Sequence, residues 1–379
     1  MTRRLVAAPL LLSIVVAMGC SGGDGAASPT GPTATGRTPP PTSAPTIADN
    51  GSTPTTTPTL PPATTATTTI TATTTTTVTT TITTTTTATM PEPRTIDDLI
   101  ERGTFVALAH AGGDQEAPHS TRFAFEQAVA AGADALEMDV QLTADGVLIV
   151  QHDDTVDKTT EATGPVAALT LAEIQALDNA YWFSPECWPC QDRPLDEYVY
   201  RGVRTGERPP PAGFDADDFR VPTFREIATA FPHLPLDVEI KGAYPDALPA
   251  VDALATELEE LDRIGSTVVV SFDDQIVDAF HTRAPDVAVS PGLSRLTAWF
   301  LDGAELEPHF RVLQLPPFQG DLRIVDRALV ERIHAEGRVV WVWMDAAATQ
   351  ENVDVYAELI GMGVDGIIAG RPAALSTLG

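Results

Sequence analysis

After residue 93, the apolar positions of the chain alternate between two periods. Short runs of Val, Ile, Leu and Ala are typical of buried strands, and longer segments repeat apolar residues at helical spacing. Strands are predicted at 105–110, 134–140, 147–152, 236–241, 267–272, 287–290, 311–315, 339–344 and 364–369. Helices are predicted at 121–131, 223–231, 246–264, 274–283, 324–336 and 349–361. This alternation is typical of a parallel sheet covered by helices.

The connection between the second and third strands decides the topology. Thr143-Ala-Asp-Gly146 is a turn, whereas a parallel crossover needs roughly a dozen residues, so the third strand must fold back as a β-hairpin. The other eight strands predict an α/β fold, a (β/α)8 TIM barrel with the hairpin over its mouth. The segment at about 155–222 is too long for one connection and predicts an insertion at the active-site face. In such barrels this face is formed by the carboxyl ends of the strands.

The first 93 residues are predicted to lie outside the barrel domain, which spans 94–379. An apolar stretch that is too short to span a bilayer follows two arginines and ends in Ala17-Met-Gly-Cys20, which resembles a lipobox. We therefore expect a lipoprotein signal peptide at 1–20 and a membrane anchor on Cys20, with plain secretion as the alternative. Residues 21–93 are mostly Gly, Ser, Pro and Thr, a composition that predicts a disordered linker. The expected location is the extracytoplasmic side of the cell membrane.

The formal net charge of −29 changes the list of possible partners. Acidic and basic residues balance in the first 93 residues, so this charge belongs to the barrel domain and argues against nucleic-acid binding. Cysteines are rare, and Cys187 and Cys190 form a C-x-x-C motif in a loop rich in Pro and Asp. For an exported chain this spacing favours a local disulfide, while a redox motif or a zinc site is less well supported.

Chemically active side chains stand where the predicted strands end. Glu137 and Asp139 are two positions apart on one strand, and Glu239 and Lys241 are two apart on another, so each pair shares a face. The carboxylates of Glu137, Asp139 and Glu239 are hard oxygen ligands suited to Ca²⁺ or Mg²⁺, with solvated strand ends as the alternative interpretation. Lys241 is one of only two lysines, which favours a compact charge placed on a phosphoryl oxygen.

Two histidines end other strands of the same set. His110 ends the first predicted strand and His152 the third, and imidazole is the natural proton carrier at neutral pH. A single histidine at a strand end is more often structural, so position alone leaves both a structural and a catalytic role open. Asp153 either orients His152 or begins the next loop.

These motifs together resemble the glycerophosphodiester phosphodiesterase family over essentially all of 104–375. The resemblance rests on Leu-Ala-His110-Ala-Gly-Gly, Glu137-Met-Asp139, Thr143-Ala-Asp-Gly146, His152-Asp153, Val-Glu239-Ile-Lys241, Trp343 and Asp365-Gly-Ile-Ile368. It implies a (β/α)8 barrel that hydrolyses a small phosphodiester to glycerol 3-phosphate and an alcohol with a divalent cation. It also implies that one of His110 and His152 activates the nucleophile while the other protonates the leaving group.

Three departures from the family pattern bear on the substrate. The usual Arg after the first His is Ala111, the usual Pro-Glu-Asn-Thr is Pro118-His-Ser-Thr121, and a usual Thr-Asp is Ala369-Gly370. His119 is a candidate replacement contact for phosphate. Trp343 is a candidate contact for glycerol or a lipid portion, with barrel packing as the alternative. These departures leave two other functions open: a lysophospholipase D-type activity, and a non-catalytic envelope lipoprotein that binds polyol phosphates.

Overall fold

The computed structural model describes residues 94–185 and 187–378. The predicted signal peptide, the predicted linker and Cys20 lie outside these residues, so those expectations remain predictions. No helix within the described ranges is long and apolar enough to cross a bilayer.

Eight parallel strands and one antiparallel strand form the main sheet. The strands in chain order are β1 Val106–Ala109, β2 Ala135–Leu142, β3 Leu148–Val150, β4 Leu236–Ile240, β5 Thr267–Val270, β6 Ala288–Val289, β7 Val312–Leu315, β8 Phe318–Gln319, β9 Leu322–Arg323, β10 Val339–Trp343 and β11 Gly366–Ala369. The order of the parallel strands is β6-β5-β4-β2-β1-β11-β10-β7, and β3 pairs antiparallel with β2. Strands β8 and β9 form a separate hairpin. No pairing joins β6 to β7 in the described part of the chain, so the barrel is nearly closed.

Helices connect most of the parallel strands. In chain order, the α-helices of the described residues are α1 Ile96–Glu101, α2 Arg122–Ala130, α3 Leu171–Ala176, α4 Phe224–Ala230, α5 Leu248–Glu260, α6 Asp274–Arg283, α7 Leu293–Thr297, α8 Arg327–Ala335, α9 Ala347–Gln350, α10 Val353–Met362 and α11 Pro372–Ser376. Their starts follow from capping side chains: Thr121 accepts a hydrogen bond from Ala124 N at 3.1 Å, and Thr223 forms a capping box with Glu226 at the start of α4.

The predicted (β/α)8 barrel with a β-hairpin is therefore confirmed, with changes in detail. The helix predicted at 349–361 is two helices, because Asn352 leaves the helical conformation and its side chain caps α10 by accepting from Val355 N. Helix α1 and the β8–β9 hairpin were not predicted, since both are shorter than the window over which periodicity is visible. Between β3 and β4, the predicted insertion consists mainly of turns, short 3₁₀ segments and α3.

The buried apolar residues form two layers separated by the strands. Alternate residues of the strands face outward and pack against the helices, as Leu136, Met138 and Val238 do. The opposite faces fill the barrel interior at its amino end, where Val106, Leu108 and Trp341 join Ile96 and Leu99 of α1. Helix α1 thus closes the lower end of the barrel, and the inward residues nearer the carboxyl ends are left to form a polar site.

Candidate active site

The carboxylates of the site come from two neighbouring strands in register. In the parallel pairing of β2 with β4, Glu137 lies beside Asp237 and Asp139 lies beside Glu239. Because side chains two residues apart share a face, all four carboxyl groups lie on the inward face of the barrel. Lys241 follows β4 on the same face, and its Nζ lies 3.1 Å from Glu239 Oε1 and 3.4 Å from Asp139 Oδ1.

Asp139 is completely buried. Its side chain is 0% exposed, and neither oxygen accepts a hydrogen bond from the residues that the structure describes. Burial opposes its ionisation, but the charges of His152 and Lys241 outweigh burial and lower the pKa of Asp139 to about 2. An ionised carboxylate without hydrogen-bond donors is costly to bury. The charges of His152 and Lys241 offset that cost here, and a bound cation would supply a further contact to the two oxygens.

In contrast to Asp139, Glu137 and Glu239 have pKa values above the ordinary value of a glutamate. Burial, followed by the charge of Asp139, raises the pKa of Glu137 well above its ordinary range. Burial also raises the pKa of Glu239, although the ammonium of Lys241 opposes the change. Repulsion among three acids on one face is the electrostatic condition that a divalent cation relieves.

The donor set of Glu137, Asp139 and Glu239 therefore fits a hard divalent cation in chemistry and in electrostatics. Within 94–185 and 187–378, however, no group of three or more His, Cys, Asp or Glu side chains is arranged closely enough to hold a metal. Lys241 lies between two of the three carboxylates and already contacts both. The carboxylates thus share a face without converging on one point, and the assignment of metal ligands remains a prediction.

Three histidines surround the same mouth of the barrel. The ring centroids of His110 and His152 are 6.3 Å apart, and the ring of His119 lies 6.2 Å from the first and 5.7 Å from the second. His110 Nδ1 lies 3.2 Å from Asp114 Oδ1, and His152 Nδ1 lies 3.0 Å from Asp153 Oδ1. Each candidate proton carrier is therefore paired with a carboxylate at Nδ1.

The electrostatic surroundings distinguish these imidazoles. Burial opposes protonation of His110, but the charges of Asp114 and Glu137 raise its pKa well above the ordinary value. His119 is 2% exposed, and burial lowers its pKa to about 3, so its ring is neutral at pH 7. His119 Nδ1 lies 2.8 Å from Ser120 Oγ. In this neutral form its ring would contact a phosphate through a hydrogen bond and not through a positive charge.

Ala111 occupies a constrained position next to His110. The residue is 0% exposed, has φ of 45°, and donates a 2.8 Å hydrogen bond from its backbone N–H to Glu137 Oε2. Gly112 follows with φ of 83°, and a Cβ there would approach Ala124 Cβ to 2.9 Å. The turn therefore links the end of β1 directly to a carboxylate of β2.

Aromatic residues are placed on two sides of the mouth. Trp343 at the end of β10 is half-buried and packs edge-on against Phe272, with centroids 5.7 Å apart, and Phe272 is 41% exposed. On the other side, Trp188 of the insertion lies 6.2 Å from the His119 ring. Cys187 and Cys190, on either side of Trp188, form a disulfide.

The rest of the aromatic insertion forms a small core of its own. Phe183 stacks with Tyr200, while Tyr181 and Trp182 surround the Arg201 guanidinium with centroid distances of 4.0 and 4.5 Å. The insertion is connected to the site through Asn179, whose Nδ2 donates to the His119 carbonyl at 3.0 Å. Most of these rings therefore stabilise the insertion, and Trp188 is the one that approaches the histidines.

The structure thus brings His110, His119, His152, Glu137, Asp139, Glu239 and Lys241 together and puts Trp343 on the rim. Sequence reasoning overlooked Asp237, which is 0% exposed, accepts from Gln314 Nε2 at 2.9 and 2.8 Å, and has its pKa raised to about 7 by burial. Its position two residues before Glu239 was a usable signal. Lys158, the other lysine of the chain, lies 3.3 Å from Asp153 Oδ2. The pairing of Asp114 with His110 was also missed, since both lie in an irregular turn.

Comparison with known proteins agrees with this arrangement. The model of the glycerophosphoryl diester phosphodiesterase family matches residues 110–374. A glycerophosphodiester phosphodiesterase of Caldanaerobacter subterraneus is 27% identical over 275 residues, which cover 72% of this chain and 97% of that protein.

Two solved structures share the fold. A glycerophosphodiester phosphodiesterase from Agrobacterium tumefaciens has a TM-score of 0.54 and 24% identity, over 72% of this chain and 100% of that chain. An Oleispira antarctica phosphodiesterase in complex with its product sn-glycerol-3-phosphate has a TM-score of 0.54 and 18% identity, over 74% and 98%. The chain belongs to the glycerophosphoryl diester phosphodiesterase family, whose members are phosphoric diester hydrolases.

Proposed function

We propose that the chain hydrolyses glycerophosphodiesters to glycerol 3-phosphate and an alcohol, with a divalent cation held by Glu137, Asp139 and Glu239. The observation that carries the proposal is the pair of carboxylate-bound imidazoles, His110 and His152, facing three acids and a lysine. The product in the Oleispira antarctica neighbour has the chemistry of the proposed product.

The residues of the site divide the reaction between them. One of His110 and His152 accepts the proton of the attacking nucleophile at its ring, and the other donates a proton to the departing alkoxide. Lys241 is held in place by two carboxylates and offers an ammonium to a phosphoryl oxygen. When bound, the cation would neutralise negative charge that develops on the oxygens around phosphorus.

The alkoxide leaves from a site in which the two proton carriers are fixed. Asp153 orients the ring of His152, and the ion pair with Lys158 holds Asp153 in turn. His119 supplies a neutral contact between the two rings, and Trp343 with Phe272 supplies an apolar surface for the organic part of the substrate. Fixed groups of this kind contribute by orientation and by avoiding reorganisation during the reaction.

A lysophospholipid is the second candidate substrate. The family's usual Arg would grip a small phosphodiester, but this position is the buried Ala111, while Phe272 and Trp343 offer apolar surface. Binding energy lost at the phosphate would be recovered from an acyl chain. We also propose that the enzyme acts at the extracytoplasmic face of the membrane, anchored through Cys20 by the linker at 21–93.

A substrate panel tests the activity. The full chain is assayed with glycerophosphocholine, glycerophosphoethanolamine, glycerophosphoglycerol, glycerophosphoinositol and a lysophospholipid, with Ca²⁺, with Mg²⁺ and with a chelator. The proposal is supported if glycerol 3-phosphate is released, if the chelator abolishes this release, and if an added cation restores it. Binding of diesters without turnover under every condition contradicts it and favours the non-catalytic lipoprotein. Faster turnover of the lysophospholipid favours the second substrate.

A further inference from the structure

His110 and Asp114 are in contact within a tight turn that follows β1. The two residues are four apart in a turn in which Gly113 N and Asp114 N both donate to the His110 carbonyl, at 2.7 and 3.3 Å. Asp114 is 8% exposed, and its Oδ1 lies 3.2 Å from His110 Nδ1. Its Oδ2 accepts a hydrogen bond from Gln115 Nε2 at 3.1 Å, which leaves the buried Oδ1 at ion-pair distance from the His110 ring and without a hydrogen bond from the described residues.

The end of β11 makes space for this carboxylate. Gly370 is outside the left-handed region, so its backbone conformation is open to any residue. A Cβ at this position, however, would meet Asp114 Oδ1 most closely, then Gln115 Cγ at 2.8 Å and Glu351 Cδ at 3.1 Å. The absence of a side chain is therefore explained by the Asp114 carboxylate, which fills the volume above Gly370.

The backbone around this glycine holds the turn in place. Gln115 N donates to the Gly370 carbonyl at 2.9 Å, and Gly370 N donates to Glu351 Oε1 at 2.9 Å. Strands β1 and β11 are neighbours in register, with Ala109 beside Ala369, so the residues that follow each strand meet at the mouth. The position of Asp114 is thus determined by two strands of the barrel, although the residue itself lies in a loop.

We propose that Asp114 is the positioning residue of His110: it holds Nδ1 of the ring, so that proton exchange with the substrate takes place at Nε2, and Gly370 provides the room for it. The inference rests on the proposed function, in which His110 transfers a proton. A carboxylate at Nδ1 fixes the tautomer and the orientation of an imidazole and stabilises its protonated form during the reaction. Asp114 itself does not touch the substrate.

The test compares kcat and KM for glycerophosphocholine in the full chain and in Asp114→Ala and Asp114→Asn. Acid–base groups contribute roughly 10²- to 10⁴-fold, so losing their orientation in Asp114→Ala should lower kcat by about 10- to 100-fold with KM nearly unchanged. Asp114→Asn keeps the shape and one acceptor oxygen and should recover part of that loss. Unchanged kcat in Asp114→Ala, or a rise in KM alone, would overturn the proposal.

The same substitution made in a His110→Ala background separates a positioning role of Asp114 from a general structural effect. Residues that act as a unit are not additive, so Asp114→Ala should cost almost nothing further when His110→Ala is already present. An equal loss in both backgrounds would show that Asp114 only supports the fold, and the proposal would fail.

A matched control is available in a second Asp–His pair. Asp365 Oδ2 lies 2.8 Å from His334 Nε2, outside the site, and Asp365→Asn should retain the parent kcat. Full activity of His110→Ala would overturn the proposed role of His110, whereas an inactive His110→Ala with a fully active Asp114→Ala would overturn only the inference about Asp114.

Discussion

Two groups of strands in the same barrel carry different kinds of side chain at their carboxyl ends. The adjacent strands β1, β2 and β4 lead to His110, Glu137, Asp139, Glu239 and Lys241, which lie on the inward face and are buried or half-buried. On either side of these strands, β5 leads to Phe272 and β10 ends at Trp343, which pack against each other at the rim. Every strand provides the same backbone geometry, so the difference lies in the side chains at the strand ends. We infer that the phosphate binds against the first group and the organic portion against the second.

The largest expected effect is the loss of a proton carrier from the charged group of strands. His110→Ala and His152→Ala should each lower kcat by roughly 10²- to 10⁴-fold, because each ring is held by a carboxylate for proton transfer. Steady-state hydrolysis of glycerophosphocholine measures the effect. The control is His334→Ala, which removes a half-exposed imidazole outside the site. Parent-like turnover in either site variant would remove that histidine from the mechanism.

Removal of one acidic charge should have the next largest effect. Glu137→Gln keeps the size of the side chain but removes a proposed cation ligand, and we expect kcat to fall by roughly 10²- to 10³-fold, the scale of losing one electrostatic contact to the transition state. The cation concentration at which the site is half-saturated should rise, as measured by activity and by calorimetry. The control Glu358→Gln changes an exposed carboxylate paired with Arg323. Unaltered activity at limiting cation would show that Glu137 is not a ligand.

How far the sequence predicts the site depends on which residues lie in regular structure. The inward placement of Glu137, Asp139, Glu239 and Lys241 follows from the period of a strand, and the structure has them on one face. The four-residue turn also predicted the hairpin of β3 correctly, because a parallel crossover cannot be that short.

Contacts made in turns or across the barrel were not predictable in this way. Asp114 reaches His110 through an irregular turn, and Glu351 reaches Gly370 only after β10 and β11 are placed side by side. The pairing of Asp237 with Gln314 joins β4 to β7 across the interior, where no local pattern relates the two residues. Burial then raises the pKa of Asp237 and of Glu351, an effect that the spacing of residues in the sequence does not reveal.

Loss of an aromatic side chain at the rim should have a smaller effect on kcat/KM, and one that depends on the substrate. Trp343→Ala removes an apolar contact worth about 1.5–3 kcal/mol when buried by substrate, so kcat/KM for a lysophospholipid should fall by about tenfold or more. The same variant should affect glycerophosphocholine less, because that substrate has no acyl chain. Leu301→Ala, which shortens an apolar side chain that is 60% exposed elsewhere, is the control. Equal losses for both substrates would assign Trp343 to barrel packing.

The smallest expected effect is on stability and concerns Glu351, a buried acid behind the site. Burial raises the pKa of Glu351 to about 7, while its side chain accepts from Tyr356 Oη and Gly370 N. The folded protein therefore keeps this proton at pH values where the unfolded chain has lost it. The free energy of unfolding contributed by Glu351 should be fully present at about pH 4 and should be lost as the pH rises to about 7, because the unfolded state binds fewer protons over this range.

Glu351→Gln keeps an acceptor oxygen without the titration. Chemical unfolding of the parent and the variant at pH 4.5 and pH 8 should show the variant gaining relative stability at the higher pH, by about 1–3 kcal/mol, since each pKa unit corresponds to about 1.4 kcal/mol. Activity should change less than stability, because Glu351 contacts the backbone that follows β11 and not the substrate. A difference between parent and variant that is the same at both pH values would show that folding does not raise the pKa of Glu351.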